Sequence, residues 1–370
     1  MGSRCAEFEQ RFAEFLGVKH AVFVNSGSSA NLLALFAVAS MDVPQRWPHR
    51  RLEPKSEVIV PAVTWPTTVW PIVQAGAIPV FIDCDPLTLQ MRTSELASAI
   101  TNHTRAIIPT HVLGNVCDME TILSLAEQHN LWVLEDTCES LGAQIGDRYA
   151  GTLGDIGTFS FYFSHHISTV EGGMVVADND DVAGLLRCLR SHGWSRALPD
   201  DVEFRNENPH IDPDFLFVTT GFNVRPTEFN AALGLIQLTR LSQFNEARIK
   251  IANDWDAALQ PLIQSGVIAV MNRGPASKAV HFAYPVLCQS RLARDELRRH
   301  LHESGIETRP VISGNLCRQP AMRNIEHRIA SKLSGADEIA AHGLYWGLNP
   351  TMTPSKINYV IEKVFEAFGV

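Results

Sequence analysis

The sequence predicts an α/β fold: a large domain built on a mostly parallel sheet, followed by a smaller α+β domain. Three observations carry this. Between Ala21 and Ala177, apolar runs of strand length alternate with helical stretches, the pattern of a sheet flanked by helices. Near residue 246 the texture changes to long helices around one clear strand. The chain has 370 residues, of which 45% are hydrophobic and 19% charged, enough for two domains and a large core. The expected division is 1–245 and 246–370.

Arg4 to Phe15 is amphipathic and reads as a helix. Ala21–Val24 is a short apolar strand, and the small-residue run Asn25-Ser26-Gly27-Ser28-Ser29-Ala30 leads into helical periodicity from Leu32. Glu57–Val60 and Ile78–Ile82 read as buried strands around a helix that begins near Trp65. Ala106–Pro109 and Leu131–Leu134 are two more, separated by a helix from Met119 to His129. Thr158–Phe163 and Gly173–Ala177 complete the pattern. Segment 195–220, rich in Asp, Glu, Asn and Pro, reads as a long surface loop. A helix from Leu235 to Gln260, a strand at His281–Leu287, a charged helix at Ala293–Ser304 and a helix at Pro354–Phe368 form the rest.

Composition excludes several functions. The net charge of −9 offers no electrostatic footprint for nucleic acid or an anionic membrane. No apolar run reaches the roughly 18 residues that a membrane helix requires, and the start has no signal-peptide pattern. Seven scattered cysteines without a Cys-x-x-Cys pair predict reduced thiols in a cytosol and argue against structural zinc.

Three strand ends hold candidate site residues. Gly27 and Ser28, between a strand and a helix, suit a phosphate at a helix N-terminus, although a plain small-residue turn has the same composition. Asp136, at the end of a buried strand, could pair with a protonated ring nitrogen or cap a helix. Trp65 could stack on a flat cofactor or sit in the core. Ser160 could add a hydroxyl to a phosphate site. His165 and His166 are adjacent, so in an extended segment they point to opposite sides and one faces the ligand. Residues 56–249 contain no lysine, which predicts that any aldehyde cofactor is held without a covalent anchor.

These segments occur in order along nearly the whole chain. With Pro61–Trp65, Pro79-Val80-Phe81-Ile82-Asp83, His111-Val112-Leu113-Gly114-Asn115, Gly154–Gly173 and Gly221-Phe222-Asn223-Val224-Arg225-Pro226-Thr227-Glu228, they resemble the DegT/DnrJ/EryC1/StrS group of sugar aminotransferases. That group depends on pyridoxal phosphate (PLP) and has fold type I, the aspartate aminotransferase-like architecture. Its Schiff-base lysine stands six residues before Glu171-Gly172-Gly173, where this chain has His165. That histidine, together with Thr308-Arg309 and Ser313-Gly314-Asn315-Leu316-Cys317-Arg318-Gln319-Pro320, resembles the lysine-less nucleotide-sugar 3-dehydratase branch.

The resemblance implies PLP and pyridoxamine phosphate (PMP) as non-covalent cofactors. It implies a nucleotide-linked 4-keto-6-deoxyhexose, preferably GDP-linked, as substrate, and glutamate as amino donor. Asp136 would pair with the ring nitrogen, Trp65 would stack, and Gly27, Ser28 and Ser160 would hold the phosphate. Asn223 would join them from the other subunit of a homodimer. Glu139 would lie near the ring, where aminotransferases usually have Gln. Arg225 and Arg309 would meet the sugar or its diphosphate. His165, with an ordinary imidazole pKa near ~6.5, would take a proton from the cofactor and help the C3 hydroxyl leave. A related set of 3-dehydrases carries an iron–sulfur cluster on cysteines ahead of the Gly-Phe-Asn segment. Residues 189–287 contain no cysteine, so no such cluster is expected. The match starts at Arg4–Glu9 and lacks the longer leading segment that often shapes the sugar site. The alternatives are another PLP/PMP enzyme of nucleotide sugars, or a non-catalytic homologue that binds without turnover.

Overall fold

The computed structural model describes residues 1–39, 50–274 and 277–369. The larger sheet has eight strands: β1 (His20–Val24), β2 (Glu57–Pro61), β3 (Ile78–Ile82), β4 (Thr104–Ile107), β5 (Trp132–Asp136), β6 (Ile156–Ser160), β7 (Gly173–Ala177) and β11 (Arg328–Ile329), in the order β1-β7-β6-β5-β4-β2-β3-β11. All neighbours are parallel from β6 to β11, and β7 runs antiparallel to both β1 and β6. Four of these strands, β2, β5, β6 and β7, are buried along their whole length, which is why they read as continuous apolar runs rather than alternating ones. β1 therefore ends on the same edge as the parallel strands, and its C-terminal residues join theirs.

Helices cover both faces. α1 (Ser3–Leu16) lays Phe8 and Phe12 against Phe23, Phe159 and Phe161 on one side. On the other, α2 (Gly27–Ala39) is apolar almost all round because it is sandwiched between the sheet and neighbouring helices. α3 (Pro66–Gln74) begins with Pro at its first position, with Trp65 as N-cap. α4 (Met119–His129) spans its expected residues, capped by Asp118.

Segment 195–220 departs from expectation. It is not one loop but carries a helix, α6 (Asp201–Glu207), after α5 (Asp180–Arg190). Asp201 in its first turn accepts the Ser195 hydroxyl and pairs with Arg205, giving local support to a stretch whose polarity alone reads as loop. α2 begins at Gly27 rather than Leu32, because the helix opens inside the small-residue turn.

α7 (Glu228–Ala258) is a 31-residue helix that starts on the capping box of Thr227 and Asn230 and crosses position 245/246. Beyond it a four-stranded antiparallel sheet forms in the order β8-β9-β12-β10, from β8 (Ile268–Val270), β9 (Ala283–Cys288), β10 (Thr308–Arg309) and β12 (Gly343–Gly347). α8 (Arg291–Glu303) and α10 (Pro354–Ala367) pack with it around Trp255, Tyr284 and Trp346. The chain returns to the larger sheet twice. Arg328 on β11 grips Glu57 through two nitrogens at 2.7 and 2.8 Å, and Asp83 accepts the Gly335 and Ala336 N–H groups, both at 2.8 Å, at the start of α9 (Ser334–His342).

Candidate active site

A cavity of about 330 Å³ opens at the carboxyl ends of β2, β4, β5 and β6. Open α/β sheets bind ligands there, since strand ends leave backbone groups and loop side chains free to converge. Gly27, Ser28, Trp65, Asp136, Glu139, Ser160, His165 and Arg309 all line it. Asn223 and Arg225 do not. Both are exposed, and Arg225 Nε donates to Asn223 Oδ1 at 3.0 Å.

The floor is Asp136. Strand alternation sends Glu135 and Asp136 to opposite faces of the sheet. Glu135 is buried and accepts the N–H groups of Gly151, Leu153 and Gly154 at 2.8, 2.6 and 2.6 Å. It also meets His111 Nε2 at 2.9 Å; His111 Nδ1 accepts from Cys117 N, so Nε2 is the protonated nitrogen. Asp136 accepts from Asn31 Nδ2 at 2.8 Å, Thr68 Oγ1 at 2.6 Å and the Cys138 N–H at 3.2 Å. A run of buried hydroxyls, Thr110, Thr64 and Thr68, ends on it. Asp136 is therefore not a helix cap. Its supporters Asn31 and Thr68 escaped the sequence reading; their only local signal is a polar residue on an otherwise apolar helix face.

The first turn of α2 forms another part of the cavity wall. It closes on β6 so tightly that a Cβ on Gly27 would lie 2.5 Å from Ser160 Cβ. Only glycine allows this approach, which lines up helix N–H groups with the Ser28 and Ser160 hydroxyls. Between the two ends stands Trp65, 55% exposed and so not a core residue. A carboxylate at one end, a helix N-terminus at the other and an indole face between fit a flat cationic ring that carries a phosphate.

His165 comes from a turn closed by its own N–H on Tyr162 O at 2.9 Å. The segment is not extended, so the two histidines do not separate by strand alternation; both rings lie against Phe282. The turn nevertheless puts only His165 in the cavity wall. His166 is buried with Nε2 at 3.0 Å from Val280 O. His165 Nδ1 lies 2.7 Å from the Cys138 carbonyl. A carbonyl only accepts, so Nδ1 carries the proton and Nε2 is the free base. Burial lowers the His165 pKa to about 4, against the opposing pull of the Cys138 carbonyl and the Asp136 charge. This corrects the ordinary value expected from sequence, which cannot register desolvation.

Glu139 accepts the Leu113 N–H at 3.0 Å. Burial, with the Asp136 charge acting in the same direction, pushes its carboxyl up to about 8. At neutral pH it is protonated and able to donate, as a glutamine would be. Arg309 stands at the rim, held by Glu307. The far wall comes from remote chain: Phe282, Ile312 and Tyr345. No strand-end motif announces these three. Among the described residues no lysine lines the cavity.

The model of the DegT/DnrJ/EryC1/StrS aminotransferase family matches residues 1–365. A GDP-4-keto-6-deoxy-D-mannose 3-dehydratase of Yersinia pseudotuberculosis is 39% identical over 352 residues, covering 94% of this chain and 87% of that protein. The solved structure of the E. coli GDP-4-keto-6-deoxy-D-mannose-3-dehydratase with bound hydrated PLP matches with a TM-score of 0.89 at 33% identity, over 98% of this chain and 92% of that one. A crystal structure of GDP-4-keto-6-deoxymannose-3-dehydratase with a trapped PLP-glutamate geminal diamine matches with a TM-score of 0.89 at 32% identity, over 98% of this chain and 93% of that one.

Proposed function

Because the chain belongs to the DegT/DnrJ/EryC1/StrS aminotransferase family, we propose that it is a PLP/PMP-dependent 3-dehydratase of a nucleotide-linked 4-keto-6-deoxyhexose. The product is a 4-keto-3,6-dideoxy sugar, and glutamate restores the amine form of the cofactor. The names of the relatives favour a GDP-linked substrate. The observation that carries the reading is His165 in the wall of a cavity that no lysine lines. Ordinary transamination in this family needs that lysine.

When bound, PMP supplies an amine for the C4 ketone and a ring that takes up an electron pair. The protein's residues do the rest. Asp136, held by Asn31 and Thr68, pairs with the ring nitrogen and keeps it protonated. The first turn of α2, with Ser28 and Ser160, holds the phosphate, and Trp65 covers one ring face. Protonated Glu139 donates to the ring's edge. His165 Nε2 takes the proton released from the cofactor's methylene carbon. The resulting imidazolium would pass that proton to the departing C3 hydroxyl, so that it leaves as water. Arg309 faces the sugar or its diphosphate.

The working unit is a homodimer in which Asn223 reaches the neighbouring cavity, with Arg225 beside it. Supporting this, both residues are exposed and do not line their own chain's cavity, and Phe229, Leu233 and Ile236 make an exposed apolar stripe on the first turns of α7.

Incubation with GDP-4-keto-6-deoxymannose, PMP and glutamate is expected to yield a 3-deoxy sugar with 2-oxoglutarate and ammonia. A 4-amino sugar in its place would overturn the assignment.

A further inference from the structure

His165 is tethered on one side by a single hydrogen bond, and what holds its other side comes from far along the chain. The Phe282 ring meets the imidazole at a centroid distance of 5.0 Å and an interplanar angle of 61°, an edge-on contact, and lines the same cavity. Its backbone is unusually well fixed. Arg248 Nη1, buried on α7, stands within hydrogen-bonding reach of the carbonyls of Phe282 at 2.9 Å, His281 at 3.1 Å and Leu348 at 2.7 Å, which share its two N–H groups. Phe282 N donates to Leu113 O at 3.2 Å, and Val280 N to Gly114 O at 2.9 Å. Leu113 is the residue whose N–H meets Glu139. The segment Val280–Phe282 is thus clamped between the loop that holds Glu139, the turn that carries His165 and a buried guanidinium.

We infer that Phe282 is a positioning residue for His165. Its ring caps the imidazole, so that Nδ1 stays on the Cys138 carbonyl, Nε2 stays turned to the cavity, and water is kept from the face the ring covers. Arg248 does not touch the imidazole in this scheme; it sets the height of the cap by gripping three carbonyls. The inference rests on reading His165 as the proton-carrying group, and it adds a residue with no motif of its own.

The effect of the cap is on hydration. The charged and titratable groups around the imidazole are Asp136 from β5 with Cys138 and Glu139 just beyond it, Arg248 from α7, His166 beside it, Tyr162, whose ring lies 6.3 Å away, and Glu171, Arg309 and Tyr345 in the same cavity lining. All of these remain when Phe282 is replaced by leucine. What changes is access of water to the ring face, and burial is the first cause of the low His165 pKa. Removing the cap therefore moves the midpoint upward, toward the ordinary imidazole value.

The test measures hydrogen–deuterium exchange at the histidine C2 carbon across a pH series, on the full chain loaded with PLP. Mass-spectrometric fragmentation between His165 and His166 separates the two signals. Phe282→Leu is expected to raise the His165 midpoint by about one pH unit, and the acid limb of kcat/KM for sugar deoxygenation is expected to shift the same way. Phe282→Tyr, which keeps the ring, is expected to leave the midpoint in place. A folded Phe282→Leu variant whose midpoint matches wild type would overturn the inference. If Phe282→Leu does not fold, Arg248→Lys serves instead: it keeps a positive charge but loses the three-carbonyl grip, and an unmoved midpoint there is equally fatal. The exchange readout needs no turnover. A wild-type chain with a low His165 midpoint but no sugar reaction would sink the dehydratase reading and leave the cap standing.

Discussion

At the residue scale the site is a set of side chains whose protonation is decided by what packs over them. Desolvation holds the His165 pKa down to about 4, and the Cys138 carbonyl occupies Nδ1 and leaves Nε2 as the unprotonated nitrogen. Replacing it with asparagine is expected to lower sugar deoxygenation by about 10²–10⁴-fold while PMP still binds, followed by cofactor absorbance and steady-state kinetics. Glu139 gives a pH prediction of definite sign. Its folded pKa lies above the unfolded 4.5, so the folded state holds the proton more tightly. This group's contribution to stability is fully present below pH 4.5 and is lost as pH rises to about 8. Glu139→Gln is therefore expected to flatten the fall in cofactor-free stability over that window, by at most about 5 kcal/mol at roughly 1.4 kcal/mol per pKa unit, in urea denaturation series. His165 acts oppositely. Its depressed pKa contributes stability above pH 6.5 that is lost as pH falls toward 4. Gly27, Ser28, Trp65, Asp136 and Ser160 were legible because they stand at or just past strand ends, whereas His165, Glu139, Asn223, Arg225 and Arg309 were picked out by the family resemblance. Their pKa values were not legible, because desolvation is a property of neighbours.

At the scale of elements, two junctions make the site. The first is the approach of α2 to β6. Gly27→Ala would push its Cβ into Ser160, so the helix start must retreat from the phosphate end. PLP affinity, measured by fluorescence titration of the cofactor-free chain, is expected to fall about tenfold or more, as befits loss of a helix N-terminal anion site. The second is β5, where Glu135 gathers three backbone N–H groups and His111 on one face while Asp136 meets the cavity on the other. Glu135→Gln sets an amide N–H₂ against donors and is expected to cost about 2–3 kcal/mol in denaturant unfolding. Element boundaries were read well where apolar period and caps agree, as in α4, whose Asp118 cap and Asn130 end match its pattern. They were missed where polar chain folds by its own pairs, as in α6 with Ser195, Asp201 and Arg205.

At the scale of the whole molecule, the cavity belongs to the larger sheet but is closed by the later part of the chain, which returns through β11 and α9 and sends Phe282, Ile312 and Tyr345 over the strand ends. The cavity wall carries the acidic Asp136 and Glu171, and among the described residues Arg309 is the one arginine or lysine in its lining, a poor match alone for a phosphate and a diphosphate together. The proposed second copy, bringing Asn223 and Arg225, would relieve this. Phe229, 86% exposed on α7, is the test position. Phe229→Asp is expected to convert the dimer to a monomer in sedimentation velocity and to weaken PLP binding in the same sample. A stable dimer with full affinity would move the interface elsewhere.

The sequence by itself determined the scaffold and the set of reactive groups. Apolar period, strand-end turns and the exchange of lysine for His165 are local features, and local features are written in consecutive residues. The tertiary structure alone decided which nitrogen of His165 works, that Glu139 keeps its proton, and that Phe282 and Arg248 stand behind the imidazole. Those depend on burial and on contacts between separate segments, such as Cys138 with His165, Leu113 with Glu139 and Phe282 with His165, and no spacing along the chain encodes which segments will meet.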